Sequence, residues 1–416
     1  MQKQHEELRR IGLVSSERDY KAKGYKEAAK IVRRINKAEI GLKTYRILKA
    51  MRGKGAQKHA MDRIEVPDSW PEPQHIKSET KLEDPKKCKK WKPITDPDQI
   101  EKYLIIRNQR HFGQAQGTPF TEGELAEDID WAASSAAADK ILAGTYEWKI
   151  DDQKCTAVLK ACQIASDLEE SKAELTENEF KGKIKCWGEA TTTSPSGRHL
   201  GHYKSLFAEP TYDKDEQEEE YQRFKEKQQQ LRSLVLDILN YCIRNTIVLP
   251  RWKTIVNTMI FKDAGCIKIH RLRVIHIYEA DYNLLLAVKW RQLIRESDKQ
   301  GRLHQGQYGG RPGCEAQSLA LLEELKCDLA YTTRRTLLNL DLDASSCYDR
   351  IVMSLASLVN RKYGMNKKVV MVDAKTLHEA QYKLRTSLGM SKTSYSHCME
   401  FPIHGSGQGS GNSPAI

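Results

Sequence analysis

Between residues 337 and 414 the chain commits to two local shapes that few folds can hold together. The first, Leu337-Leu338-Asn339-Leu340-Asp341-Leu342-Asp343, alternates: Leu338, Leu340 and Leu342 fall on one face, Asn339, Asp341 and Asp343 on the other. A period of two predicts a strand, and this one delivers a carboxylate to its end. Ala344-Ser345-Ser346-Cys347-Tyr348-Asp349-Arg350-Ile351 follows, short polar residues of the kind that cap and open a helix, so Asp343 is expected at a strand-to-turn junction. The second shape is a loop, Gly405-Ser406-Gly407-Gln408-Gly409-Ser410-Gly411-Asn412-Ser413-Pro414, with one glutamine among its glycines. Taken alone, the first reads equally as a solvated edge strand and the second as a flexible linker.

Spacing joins them. An aspartate followed five residues later by an aromatic ring and six later by a second aspartate is motif A of the reverse transcriptase palm, and Asp343, Tyr348 and Asp349 fill those slots. Glycine, two residues, Gln-Gly, three residues, Ser-Pro is motif B, filled by Gly405, Gln408, Gly409, Ser413 and Pro414. In these stretches the chain resembles reverse transcriptases, most closely those of non-LTR retrotransposons. The resemblance implies an α+β fold of the right-hand polymerase kind, with fingers over residues 187–335 and an incomplete palm over 336–416. A mainly helical N-terminal extension would precede them, and no thumb is expected.

Charge sets the N-terminal end apart. Residues 1–60 hold seventeen Lys or Arg against six Asp or Glu, a net of +11, while the whole chain of 416 residues carries +12. Within this arm Ile31, Ile35, Ala38, Leu42, Tyr45 and Leu48 recur at helical steps, giving one apolar stripe beside a Lys/Arg-rich remainder that includes Arg33, Arg34 and Lys37. Those three cations are candidates for tracking a phosphate backbone, with affinity that falls as salt rises. The competing readings are a solvated amphipathic helix and a short coiled coil. No apolar run approaches the roughly 20 residues of a membrane span, and Met1–Glu7 has no apolar signal core. A soluble protein of the cytosol or nucleus, with no membrane partner, is expected. The ten cysteines are scattered, none two to four residues from the next, which argues against a zinc knuckle and for free thiols.

Residues 61–100 are interrupted by Pro67, Pro71, Pro73, Pro85, Pro93 and Pro97 and read as a linker. Residues 101–186 regain helical character, with Thr121 and Glu124 at capping-box spacing. His111, Trp131 and Trp148 are expected to pack rather than to ligate or stack on bases, and no upstream endonuclease is recognisable. From about residue 187 the resemblance takes over. Thr193-Ser194-Pro195-Ser196-Gly197 stands where relatives have a Pro-Gly-Asp-Gly turn ahead of the fingers. His199 and His202, three apart, lack a third ligand at metal spacing. An apolar face over Phe224, Leu231, Leu234, Val235, Ile238 and Cys242 predicts a long helix, and Pro250-Arg251-Trp252-Lys253 matches the family's Pro-x-Trp-Lys approach to the first fingers strand.

That strand runs Ile255 to Lys262, with a turn at Asp263-Ala264-Gly265 and a second strand over His270–Ile275. By resemblance Lys262 and Arg273 occupy the positions that contact the triphosphate of the incoming nucleotide; phosphoryl transfer relies on such cations, Arg as a planar clamp and Lys as a point charge. The bland alternative is two surface cations on a hairpin. Val274 stands where relatives have proline. Gln307-Tyr308-Gly309-Gly310-Arg311-Pro312-Gly313 is similar to their Gln-Tyr-Gly-Phe-Arg-Pro-Gly, with Gly310 for phenylalanine. Arg311 is a candidate for touching the template backbone, or for bracing the turn. A helix from Cys314 to Tyr331, with Leu319, Leu322, Leu325 and Leu329 on one face, leads back to Asp343.

The resemblance implies that Asp343 is the catalytic carboxylate and ligand of the magnesium ions, with manganese as substitute, which align a primer hydroxyl and a triphosphate for in-line attack. Asp341 shares its face, but the fifth residue after it is Ser346, so the pattern selects Asp343. Tyr348 takes the steric-gate position that excludes a ribose 2′-hydroxyl, making a deoxynucleotide the expected substrate and RNA template with DNA primer the expected partners. Gln408 would bond near the sugar or base, and Gly409 would let the backbone approach the nucleotide closely. Asp349 reads as a helix-start residue. After motif A no aromatic-x-Asp-Asp occurs, and Asp151-Asp152 precedes it. The expectation is therefore a reverse transcriptase fragment that does not polymerise as it stands, a nucleic-acid-binding derivative without catalysis, or a relic that folds poorly.

Overall fold

The computed structural model describes residues 62–147, 152–164, 168–188, 194–210, 217–263, 265–339 and 346–412. The fold is mixed α and β. Its centre is a four-stranded sheet of order β4-β3-β5-β6, with β3 at Thr254–Phe261, β4 at Leu272–Ile277, β5 at Gln381–Thr386 and β6 at Gly389–Ser396. A two-stranded antiparallel sheet pairs β1 (Ile64–Pro67) with β2 (Trp91–Ile94). The helices are α1 (Pro97–Phe112), α2 (Glu124–Ile129), α3 (Ala136–Ala143), α4 (Gln153–Ala161), α5 (Glu177–Cys186), α6 (Leu200–Ser205), α7 (Glu218–Asn245), α8 (Ala280–Lys299), α9 (Ala316–Thr332), α10 (Met353–Lys362) and α11 (Lys367–His378).

β3 is rich in β-branched residues and sits between two neighbours, antiparallel to β4 and parallel to β5, with Val256 opposite Ile277 on one side and Lys383 on the other. A parallel partner needs a long crossover, and here everything between β4 and β5 serves as one. β5 puts Tyr382 and Leu384 inside and Lys383 and Arg385 outside. Helix α8 enters the core directly: Ala280 to Trp290 are all buried, as expected of a helix surrounded by protein. The one lysine among them, Lys289, donates to the carbonyls of Lys172 and Glu174 at 3.1 and 2.6 Å. Helix α1 begins on Asp96, whose carboxylate accepts the Gln99 N–H at 2.8 Å, with Pro97 in the first turn where no donor is lost.

Several expectations change. The proline-rich stretch 61–100 is no linker where it is described: Ile64, Val66, Trp70, Ile76 and Ile94 join the main core. Its prolines are accommodated in a short two-stranded ladder, Pro67 opposite Trp91 and Pro93 opposite Glu65, whose other side gives the Glu65 N–H to the Ile267 carbonyl at 3.0 Å. Thr121 caps no helix; its hydroxyl accepts the Thr118 N–H, and α2 starts at Glu124 behind Gly123. The capping box lies instead at Thr176 and Glu179 ahead of α5. The main core takes Phe180 and Ile184 from α5 together with β3, α8 and β5, so it crosses the boundaries expected at 187 and 336. The alternating run is described only at Leu337-Leu338-Asn339, where the backbone is not a strand and Leu338 is 89% exposed. The rest of the run, Leu340 to Asp343, lies outside the described residues. Helix α9 forms as its leucine spacing predicts but buries none of its residues. A second, smaller core joins Leu125, Ile129, Ile141, Leu142 and Leu159 of the α2–α4 region to Leu358 of α10.

Candidate functional site

The site is built around the outer edge of β4. In the order β4-β3-β5-β6, β4 is terminal, and an open edge strand must be covered. The glycine-rich loop covers it: the His276 N–H donates to the Gln408 carbonyl at 2.7 Å. Tyr278 Oη donates to the Ser406 carbonyl at 2.9 Å, and Asn283 Nδ2 on α8 to the Gly409 carbonyl at 3.1 Å. At the loop's end, Asn412 Nδ2 donates to Asp373 Oδ2 on α11 at 2.7 Å, and Tyr282 Oη to Asp373 Oδ1 at 2.6 Å. Burial raises the Asp373 carboxyl to about 6, against the opposing pull of these two donors.

On its other side the loop meets the turn that holds Tyr348 and Asp349. Ser406 N–H donates to the Tyr348 carbonyl at 3.0 Å and Gly405 N–H to the Ile351 carbonyl at 2.8 Å. Cys347–Arg350 forms a single 3-10 turn, with Ser346 ahead of it at φ +56°. A Cβ on Gly405 would lie 2.7 Å from the Tyr348 carbonyl oxygen, and one on Gly409, whose φ is +118°, would lie 2.3 Å from that of His276. The loop is thus tight backbone packing rather than a linker, and only glycine fits at these contacts. Gly409 approaches β4, a surface that the sequence reading did not anticipate.

Asp349 is not simply a helix-start residue. It is buried, and its Oδ2 pairs with His111 Nε2 on α1 at 2.8 Å. Gln114 Nε2 donates to His111 Nδ1 at 3.1 Å, so the neutral ring carries its proton on Nε2 and gives it to Asp349. Burial holds the His111 imidazole below its usual range, with Asp349 opposing. The chain continues to Arg350, which donates through Nε to Gln114 Oε1 at 2.9 Å. His111 is therefore a polar partner to the Cys347–Arg350 turn, not a packing residue. Its signal was not local, because 238 residues separate it from Asp349. Close by, His276 is buried, and desolvation lowers its imidazole to about 4. His276 Nδ1, Ser406 Oγ, Asp349 Oδ1 and Asn283 Oδ1 are buried without a hydrogen-bond partner, so the ground beneath the loop is polar and suited to ordered water.

The expected triphosphate contacts lie at one end of the β3–β4 pair. Lys262 follows β3, its N–H donating to the Arg271 carbonyl at 2.9 Å, and Arg273 pairs across from Ile260. Both are exposed, and neither has an ion pair among the described residues. Arg273 and His276 are three steps apart on β4, with Val274 and Ile275 between them, roughly 10 Å along a strand. Arg311 is committed: its Nε pairs with Asp298 at 2.6 Å, and its Nη1 reaches the His304 and Gln305 carbonyls, so it braces the turn. His199 caps α6 through Nδ1, accepting the Gly201 N–H. The Ser194–Gly197 turn clamps the start of α8: Ser196 donates through N and Oγ to Glu279 at 2.8 and 2.9 Å. Arg251 pairs with Asp281 beside it, through Nη1 at 2.6 Å. Asp343, Asp341, Ser413, Pro414, Arg33, Arg34 and Lys37 lie outside the described residues.

Among the described residues no group of three or more His, Cys, Asp or Glu is arranged to hold a metal. The one ligand implied for magnesium, Asp343, is not among them, and Asp349 is turned to His111, so the described side chains supply no donor set for the ion. No described helix is long and apolar enough to cross a membrane. All ten cysteines are free. No family model matches this chain, and no curated protein does.

Proposed function

We propose that this chain carries the nucleotide-facing part of a reverse-transcriptase-like polymerase: fingers and the first portion of a palm, of retroelement type. In this reading Lys262 and Arg273 hold the triphosphate of a deoxynucleotide, Tyr348 and Gln408 line its sugar and base, and Asp343 receives magnesium. RNA template and DNA primer are the partners, helped by Arg33, Arg34 and Lys37 of the basic arm, in the cytosol or nucleus. Bound magnesium would neutralise the phosphates and activate the primer hydroxyl; what the chain itself contributes is positioning. One observation carries the reading. The turn holding Tyr348, the loop holding Gln408 and the strand holding Arg273 are linked in sequence-distant order by backbone hydrogen bonds from Ser406 to Tyr348 and from His276 to Gln408. Three stretches singled out for one nucleotide are thus neighbours.

Photoaffinity labelling with an azido-deoxynucleoside triphosphate, followed by peptide mapping, tests it. Label on 405–412 or on the 262–273 hairpin is expected, and Lys262→Ala with Arg273→Ala should lower triphosphate affinity by about ten-fold or more, each cation supplying charge-assisted bonds. Label elsewhere, or affinity indifferent to both cations, refutes the reading. A second reading is a nucleic-acid-binding derivative without catalysis, in which the exposed Lys262 and Arg273 meet a phosphate backbone. One carboxylate does not hold the two ions of in-line transfer, so primer extension by these 416 residues with magnesium or manganese is expected to be nil. Template-dependent incorporation would overturn that.

A further inference from the structure

A cavity of about 180 Å³, to whose lining neither Lys262 nor Arg273 contributes, is walled by Trp131, Met353, His378, Tyr382, His397 and His404 among others. Three features of its wall bear on what it takes. It offers a flat ring pair: Trp131 lies on His378 with ring centroids 4.6 Å apart and planes at 15°, while His397, 5.0 Å from His378, is tilted to it by 43°. Trp131 is nevertheless 42% exposed, so a large ring is held flat beside an opening and not sunk in a core.

The wall also carries edges that can read a ligand. His397 Nδ1 accepts the Ile403 N–H at 3.0 Å and lies 3.3 Å from the Ile403 carbonyl; with that N–H accepted, Nε2 is left as the donor toward a ligand. His404 Nε2 bonds Gln116 Oε1 at 2.9 Å, which leaves Nδ1 as an acceptor. Burial, with His397 as a neighbour, lowers His404 to about 4 and lowers His378 as well, so these rings are neutral at physiological pH.

Finally, the wall is not built for phosphate. No Lys or Arg lines it, and its one carboxylate, Asp130, is spent on the Ala132 N–H at 2.7 Å and the Ser134 hydroxyl at 2.8 Å. A neutral slot with a flat wall, one donor and one acceptor suits a planar nitrogen heterocycle with polar edges. Its volume suits one ring system, since a cavity of roughly 150 Å³ takes a benzene.

We propose that this cavity is a pocket for a single unpaired nucleobase, stacked on the Trp131–His378 pair and read at its edge by His397 and His404. The assignment is independent of the polymerase reading.

The test uses the full chain and the four free nucleosides, adenosine, guanosine, cytidine and uridine, with binding followed by saturation-transfer NMR and titration. At least one nucleoside should bind with an affinity that a ten-fold rise in salt leaves unchanged. Trp131→Ala and His378→Ala, both at exposed side chains, should each weaken it by roughly ten-fold, the usual effect of losing a base–aromatic stack. His404→Phe should keep the stack and alter the ranking of the four bases. A 5-iodouridine oligoribonucleotide should cross-link at Trp131 or His378. Absence of nucleoside binding, binding indifferent to both alanine variants, or indole binding as tightly as any nucleoside would overturn the proposal, the last by making this a slot for an aromatic side chain. Because the four nucleosides carry no phosphate, failure of triphosphate binding at Lys262 and Arg273 leaves their binding result untouched.

Discussion

Gly409 and Arg251 show two ways in which one residue fixes the site. At Gly409 a side chain meets backbone: the Cβ of alanine would stand 2.3 Å from the His276 carbonyl oxygen, at a φ that L-residues avoid. Gly409→Ala should cost at least roughly 1–3 kcal/mol of stability, measured by urea unfolding, and should speed amide exchange over 405–412. Arg251 acts through charge. It neutralises Asp281, which is buried, and lies 3.6 Å from Glu279, also buried. Arg251→Met would leave both carboxylates without it, and a loss of roughly 3–5 kcal/mol is expected; a loss under about 1 kcal/mol would show that the pair is solvated. Residue identity announced both positions, one by its glycine and one by its place before Trp252. What each touches was not legible, because Gly409 looks equally suited to a nucleotide and to a strand, and the partners of Arg251 lie about thirty residues on.

At the scale of elements, the loop 405–412 rests on two buried titratable groups with opposite habits. His276 is lowered from 6.5 to about 4, so its contribution to stability is full above 6.5 and is lost as pH falls through 4. Asp373 is raised from 3.8 to about 6, so its contribution is full below 3.8 and is lost as pH rises through 6. Between pH 6 and 4 the two slopes oppose each other, each worth about 1.4 kcal/mol per pH unit at most. Asp373→Asn removes the offset. Measured by chemical unfolding, that variant should lose stability with acid more steeply than the parent in this window, by up to about 1.4 kcal/mol per unit; parallel pH profiles would sink the account. The elements themselves were unevenly legible. β3 and β4 could be read from their β-branched alternation. β1 and β2 were hidden by Pro67 and Pro93, since a four-residue strand with proline looks like a linker. β5, with Tyr382 and Leu384 inside, is too short and too charged to stand out, and it becomes a strand through pairing with β3.

For the whole molecule, helix α9 is the feature that does not close. Leu325 and Leu329 are 55% and 64% exposed, with Leu321 and Tyr331 beside them in sequence exposed as well. A face of this kind promotes association. Leu325→Lys with Leu329→Lys should reduce self-association and dye binding, seen by sedimentation and fluorescence, while changing stability by no more than about 0.5 kcal/mol; unchanged association would place the contact elsewhere. The leucine spacing was enough to predict that helix and silent on its partner, since periodicity reports a face and not what lies against it. The sheet has a further consequence, for synthesis. β3 is made early, but its parallel partner begins at residue 381 and the loop that seals β4 ends at 412. A nascent chain must therefore wait on the ribosome with one edge of its central strand unpaired for more than a hundred residues, and a translation product stalled before β5 should be a client for chaperones and proteases.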